Sequence, residues 1–169
     1  MRKSILLSVA VLAGMCCSAI AADVTTPLTV PSADKKAAIT LQLSEGWKTY
    51  VSKDGSVSID VPRSGVHIQV WALSTASVDE AVKQVADLIK AQVTKFKVTE
   101  TKEISVAGAP GKQLIGTGEE ADDGDPSNAD VYFFSVDGKV FMICAHGEGD
   151  AAAKNRPLLT ALLASVKKN

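Results

Sequence analysis

Two apolar runs on either side of Asp137-Gly138 constrain this chain more than any other feature. Residues 131–136 read Val-Tyr-Phe-Phe-Ser-Val and residues 140–145 read Val-Phe-Met-Ile-Cys-Ala. Asp-Gly between two such runs signals a two-residue hairpin, because glycine tolerates the positive φ the turn needs. A half-exposed strand alternates apolar and polar side chains. These two strands are apolar on both sides, so both of their faces are predicted to be covered. The sheet containing them therefore needs a packing layer on each side.

The flanking segments supply candidates for those layers. Residues 37–43 alternate as a half-buried strand, followed by a turn at Glu45-Gly46-Trp47. Residues 49–51 and 56–61 flank Lys53-Asp54-Gly55, a second hairpin signal. Residues 66–73 form a further strand, with Val66, Ile68 and Val70 on one face and His67, Gln69 and Trp71 on the other. The period then changes. Ser77-Val78-Asp79-Glu80 is a capping box. Val78, Ala81, Val82, Val85, Leu88, Ile89, Val93 and Phe96 recur at helical spacing, which predicts an amphipathic helix over 78–96. Strands resume at 103–107 and 113–119, with a turn at Gly108-Ala109-Pro110-Gly111. Leu158, Leu159, Leu162, Leu163 and Val166 predict a closing helix, starting near Asp150 and ending near 167, with Pro157 in its first turn. The fold class is α+β: an antiparallel sheet of about six strands with a mid-chain helix and a C-terminal helix packed on it, an α/β/α-type sandwich.

The N-terminus reads as an address. Arg2 and Lys3 precede an apolar stretch over 5–15, and Ala19 and Ala21 stand where a signal peptidase reads small residues. A bilayer span takes about 20 apolar residues, so this stretch is short for an anchor. Residues 1–22 are read as a secretory signal cut after Ala21 or Ala22, with the mature chain periplasmic or secreted. Cys16 follows Met15 and Cys17 follows Cys16, whereas lipidation signals place a small residue before the modified cysteine. Residues 23–36, with Pro27 and Pro31, form a flexible or extended lead-in, and 37–169 a single domain. Cleavage leaves 16 basic against 19 acidic side chains, a balance that argues against nucleic acid as the main partner. It also leaves Cys144 alone, with no internal disulfide to form.

The order of these features resembles the fold shared by PsbP proteins of the photosynthetic oxygen-evolving complex, a yeast Ran-binding nuclear transport factor and DcrB-like bacterial envelope proteins. The resemblance rests on Glu45-Gly46-Trp47, the Asp54-Gly55 hairpin, the helix starting at Val78 and Val106-Ala107-Gly108-Ala109-Pro110-Gly111. It extends to Asp137-Gly138 and the ending Leu162-Leu163-Ala164-Ser165-Val166. It implies a binding or accessory role and brings no catalytic signature, since function cannot be read from fold alone.

Four groups of residues are candidates for chemistry. Cys144 and His146 share a strand face, as a nucleophile and its base would, but Met142 beside them reads as core and Cys144 as a buried small hydrophobe. Adding His67 gives three metal-type ligands at no recognised zinc spacing. The acidic loop over 119–130, with Glu119, Glu120, Asp122, Asp123, Asp125, Asn128 and Asp130, is rich enough in oxygens for Ca²⁺, with Asp122, Asp123 and Asp125 as the candidate ligands; its spacing fits no helix–loop–helix site, and a solvated loop or a patch for a basic partner explains it as well. His67, Gln69 and Trp71 offer a polar-aromatic sheet face for a ligand or partner, unless a helix covers them. The expected function is a non-catalytic exported accessory protein that binds an envelope protein, with no cofactor. The alternative is a small-ligand or divalent-metal binding protein using the acidic loop or the His67/Trp71 face.

Overall fold

The computed structural model describes residues 25–32, 34–35 and 38–169. The signal segment read at 1–22, its cleavage point, Cys16 and Cys17 lie outside the described residues. The Asp137-Gly138 turn has φ of 48° and 75°, the doubly positive geometry of a tight hairpin. It joins β8 (Pro126–Val136) to β9 (Lys139–Glu148). These lie inside a seven-stranded antiparallel sheet whose other members are β3 (Lys48–Val51), β4 (Val57–Asp60), β5 (His67–Leu73), β6 (Val93–Val106) and β7 (Ala109–Glu120). The order is β3-β4-β5-β9-β8-β7-β6. The chain thus builds one half, crosses to the far edge after β5, and meanders back to pair β9 with β5.

Alternation on the central strands sorts the core into two layers. Tyr132, Phe134, Phe141, Ile143 and Ala145 face one side, with Ile68 and Val70 of β5. That side is covered by α4 (Arg156–Ala164) and by a smaller sheet of β1 (Thr25–Pro31), β2 (Ala38–Ser44) and β10 (Lys167–Lys168). A single turn, α3 (Ala151–Lys154), precedes α4. Val131, Phe133, Val140, Met142 and Cys144 face the other side, beneath α1 (Val78–Lys83) and α2 (Val85–Leu88). Helices do lie on opposite faces; one of those faces also carries a second sheet.

Several local expectations are corrected. The helix predicted over 78–96 stops at Leu88, after a break at Gln84. Val93 and Phe96 are buried in the helix-side core, but from β6, where a register shift between Thr94 and Lys97 and a positive φ of 52° at Lys95 turn both inward. The bulge reproduces a helical spacing of three inside a strand. Gly116 and Gly118 on β7 leave the room: a Cβ on either would come within 2.5 Å of Phe96 or Val93. The turn expected at 108–111 closes at Ala107-Gly108 instead, with φ of 52° and 79°. Pro110 already belongs to β7, where it pairs with β6 and precedes the first β8 pairing at Gly111, so its missing N–H is not required. The flexible alternative for the lead-in fails over Thr25–Pro31, which pairs with β2 along its whole length. The last helix ends before Lys167, which joins β2.

At the start of α1, the Ser77 hydroxyl accepts the Glu80 N–H at 3.2 Å, while Glu80 reaches the Ala76 N–H at 2.9 Å rather than that of Ser77.

Candidate binding face and cleft

Helices α1 and α2 cover β7, β8 and β9 and stop short of the strands beyond β5. Direct cross-strand partners share a face, so the pairs Lys48–Asp60 and Tyr50–Ser58, then Asp60–His67 and Ser58–Gln69, run in rows across β3, β4 and β5 on the helix side. Tyr50 and His67 are exposed, and Ser58, Asp60, Gln69 and Trp71 are half-buried. The expected face of His67, Gln69 and Trp71 therefore exists, and Trp71 forms its inner border by packing on the helix-side core. Gln92, just after α2, closes on it by donating a 2.7 Å hydrogen bond to Gln69.

Where this face meets the tip of the β7–β8 hairpin, a cleft of about 450 Å³ opens, lined by His67, Gln92, Glu120, Asp122, Asp123, His146 and Glu148 among others. The sheet face and the acidic loop, separate in the sequence, are joined here. Asp125 stays outside the lining. Its N–H binds Asp123 Oδ1 at 3.0 Å and its carbonyl accepts the Glu120 N–H at 2.8 Å, so it shapes the turn. The lining carries four carboxylates, two imidazoles and neither lysine nor arginine.

Register sets the histidines side by side. His67 of β5 faces His146 of β9, with ring centroids 5.8 Å apart. His67 Nδ1 lies 3.1 Å from Asp60 Oδ1 at the surface. His146 is buried, and its Nδ1 lies 2.9 Å from Glu120 Oε2, while the Ser127 hydroxyl closes on Glu120 Oε1. Burial pushes the His146 imidazole below its ordinary value, against the pull of the Glu120 carboxylate. A neutral ring facing a carboxylate places its proton on Nδ1 and leaves Nε2 as an acceptor.

Cys144 takes no part in this cleft. It is fully buried, and burial, reinforced by the charges of Glu120 and Asp130, pushes its thiol up to about 12. A thiol held protonated is not a nucleophile. Among the described residues, no three His, Cys, Asp or Glu side chains gather closely enough to hold a metal ion.

A second polar cluster centres on Asp130, which lies inside β8 and not in the acidic loop over 119–130 that the sequence suggests. Asp130 is fully buried on the α4 side and accepts from Arg156 Nε at 2.8 Å and Nη2 at 3.1 Å, from Gln113 at 3.1 Å and from the Tyr132 hydroxyl at 3.4 Å. This network floors a groove of about 400 Å³ whose other walls include Ile104, Val106, Thr160 and Leu163. Burial, then the Asp130 charge, pushes the Tyr132 phenol up. No local spacing announces the pair, since Asp130 and Arg156 are 26 residues apart.

No family model matches the chain, and no curated relative does. Solved structures do. A cyanobacterial PsbP (CyanoP) from Synechocystis matches with a TM-score of 0.58 at 12% identity, over 89% of this chain and 96% of that one. LpqN of Mycobacterium tuberculosis, described as involved in cell envelope biogenesis, matches with a TM-score of 0.56 at 12% identity, over 86% and 91%. The Ran-binding protein Mog1p of Saccharomyces cerevisiae matches with 0.55 at 11% identity, over 85% and 96%. At such identities the likeness is one of fold, and it is the fold that the order of sequence features had pointed to.

Proposed function

We propose that this chain is a non-catalytic accessory protein, exported to the bacterial envelope, that binds another envelope protein through the open β3–β5 face and the acidic cleft beside it. One observation carries the reading: a sheet face left uncovered by its helices runs into a cleft whose charged lining is acidic and contains no lysine or arginine. Such a surface suits a partner that presents basic and aromatic side chains, because opposite charge steers encounter and fixes register. The fold supports the reading, being shared with a protein described as Ran-binding and with one described as involved in envelope biogenesis. So does the N-terminal segment read as an export signal.

The test is crosslinking in intact envelopes after expression of the full chain, with wild type compared against Asp122→Asn/Asp123→Asn. The expected result is one reproducible partner, captured by wild type and lost or strongly reduced with the variant, with salt sensitivity to match. A partner captured equally by both, or none at all, would count against this reading.

A further inference from the structure

The seven-stranded sheet ends in two edges, and they are treated differently. Edge strand β6 carries two register shifts, a positive φ at Lys95 and a run of alternating charge that includes Lys97, Glu100, Lys102 and Glu103. Bulges and charges of this kind prevent another strand from adding. Edge strand β3 has no register shift and no positive φ, and its one charge, Lys48, stands at its start. It reads Lys-Thr-Tyr-Val, all four residues exposed, with Tyr50 at 55% and Val51 at 71%. Among the described residues these two stand with Val98 as the only exposed large hydrophobic side chains.

The hydrogen-bond phase of β3 follows from its hairpin. Ser52 N–H donates to the Ser56 carbonyl at 2.9 Å, so Ser52 and Ser56 form a bonded pair. Bonded and non-bonded pairs alternate in an antiparallel ladder. Tyr50–Ser58 and Lys48–Asp60 are then bonded pairs, and the N–H and C=O groups of Thr49 and Val51 point away from β4. Among the described residues no backbone group meets them.

We infer that this edge pairs with the same edge of a second copy, β3 against β3 antiparallel about a two-fold axis through Tyr50. In that register Thr49 faces Val51 of the second copy and Val51 faces its Thr49. The exposed N–H and C=O groups of both residues are then all satisfied, four hydrogen bonds in total. Tyr50 meets its own image in a non-bonded pair, the closer of the two kinds and the one in which aromatic side chains interact best. Lys48 falls opposite Ser52 of the second copy, so no like charges stand face to face. Each exposed apolar side chain on the edge gains a neighbour, and the two open faces become continuous. A pairing this short buries little surface and is weak.

The test is sedimentation equilibrium of the soluble product of the full chain, between micromolar and millimolar concentration. A reversible dimer is expected. Tyr50→Lys places like charges at the two-fold and is expected to weaken the dimer by about tenfold or more, with the circular dichroism unchanged because Tyr50 is exposed. Tyr50→Cys is expected to give a covalent dimer under mild oxidation, since Cα atoms of a non-bonded antiparallel pair lie about 4.5 Å apart, within disulfide reach. Val98→Cys, on the other edge, is expected not to. A protein monomeric throughout this range, a dimer indifferent to Tyr50→Lys, or equal crosslinking at Val98 overturns the inference. Binding of a foreign extended peptide at β3 by a monomeric chain overturns it too and assigns the edge to that partner.

Discussion

The sheet turns two carboxylates of the β7–β8 hairpin inward, one towards each face, Asp130 buried and Glu120 half-buried, and gives them different counterparts. Asp130 lies at zero exposure against Arg156, a permanent cation that binds it with two N–H groups, with Gln113 and Tyr132 adding further donors. Glu120 lies against His146, a base that burial holds towards its neutral form, at the wall of an open cleft. The cation of the first pair is permanent, its guanidinium held still more firmly charged by the Asp130 carboxylate. The second can change charge with pH or with a ligand. A buried charge is tolerated only when paired, so each pair is structural; only the second sits where something else can reach it.

The comparison breaks most visibly at the fixed pair. Arg156→Met leaves Asp130 buried without its cation. Arg156 is 39% exposed and opens on a groove that admits water, so the cost belongs at the lower end of the usual range, about 3 kcal/mol. Asp130→Asn keeps a polar group for Gln113 and Tyr132 and leaves Arg156 able to turn to solvent, so it costs less, about 1–2 kcal/mol. Urea denaturation of the two variants checks the order. If Asp130→Asn is the more damaging, the buried carboxylate is not the group that needs the pair.

At the second pair, Glu120→Ala strips acceptors from His146 and Ser127 and is expected to cost about 1–3 kcal/mol. The pH profile separates this site from the first. The imidazole of His146 is lowered in the fold, so as pH falls through about 6.5 the unfolded chain takes up the proton first. Stability therefore declines with falling pH from that point until the folded ring protonates as well. His146→Gln should flatten this segment of a melting-temperature profile, while Arg156→Met, which strands the buried Asp130 carboxylate, should lower the profile. His67→Gln, at an exposed ring, is the control for loss of a histidine. Profiles of parallel slope for wild type and His146→Gln would contradict a neutral buried ring.

Cys144 sits between the two sites and feels both carboxylates. Its thiol should resist disulfide reagents in the native protein even at pH 9 and react stoichiometrically in urea. Cys144→Ser places a hydroxyl in an apolar layer and should cost about 1–2 kcal/mol, whereas Cys144→Ala leaves only a small void.

How much of this was legible in the sequence depends on whether the cause was local. The Asp137-Gly138 turn and the Ser77 cap follow from chemistry within four residues, and the structure has both. The doubly apolar strands called for two covering layers, which are there. Val93 and Phe96 misled because a bulge and a helix can put residues i and i+3 on one face, and only the glycines of the neighbouring β7 tell them apart. His67 and the acidic loop were singled out separately; register across β5, β9 and β8 joins them, and register is a tertiary property. The pairs Asp130–Arg156 and Glu120–His146 each span 26 residues and leave no periodic trace.

The smallest stability effect is the most informative about function. Asp122 and Asp123 line the cleft mouth beyond Glu120, on an exposed turn. Neither side chain accepts a hydrogen bond from another element; Asp123 only caps the Asp125 N–H within the turn. Asp122→Asn/Asp123→Asn should therefore move stability by no more than about 0.5 kcal/mol. It also removes two of the four carboxylates from the lining. If binding of a basic partner falls while the unfolding curve stays in place, the cleft separates recognition from folding, as the contrast between Glu120 and Asp130 requires. If the unfolding curve moves as far as it does for Glu120→Ala, the loop is part of the structural pair, and the contrast between the two carboxylates narrows to their counterparts alone.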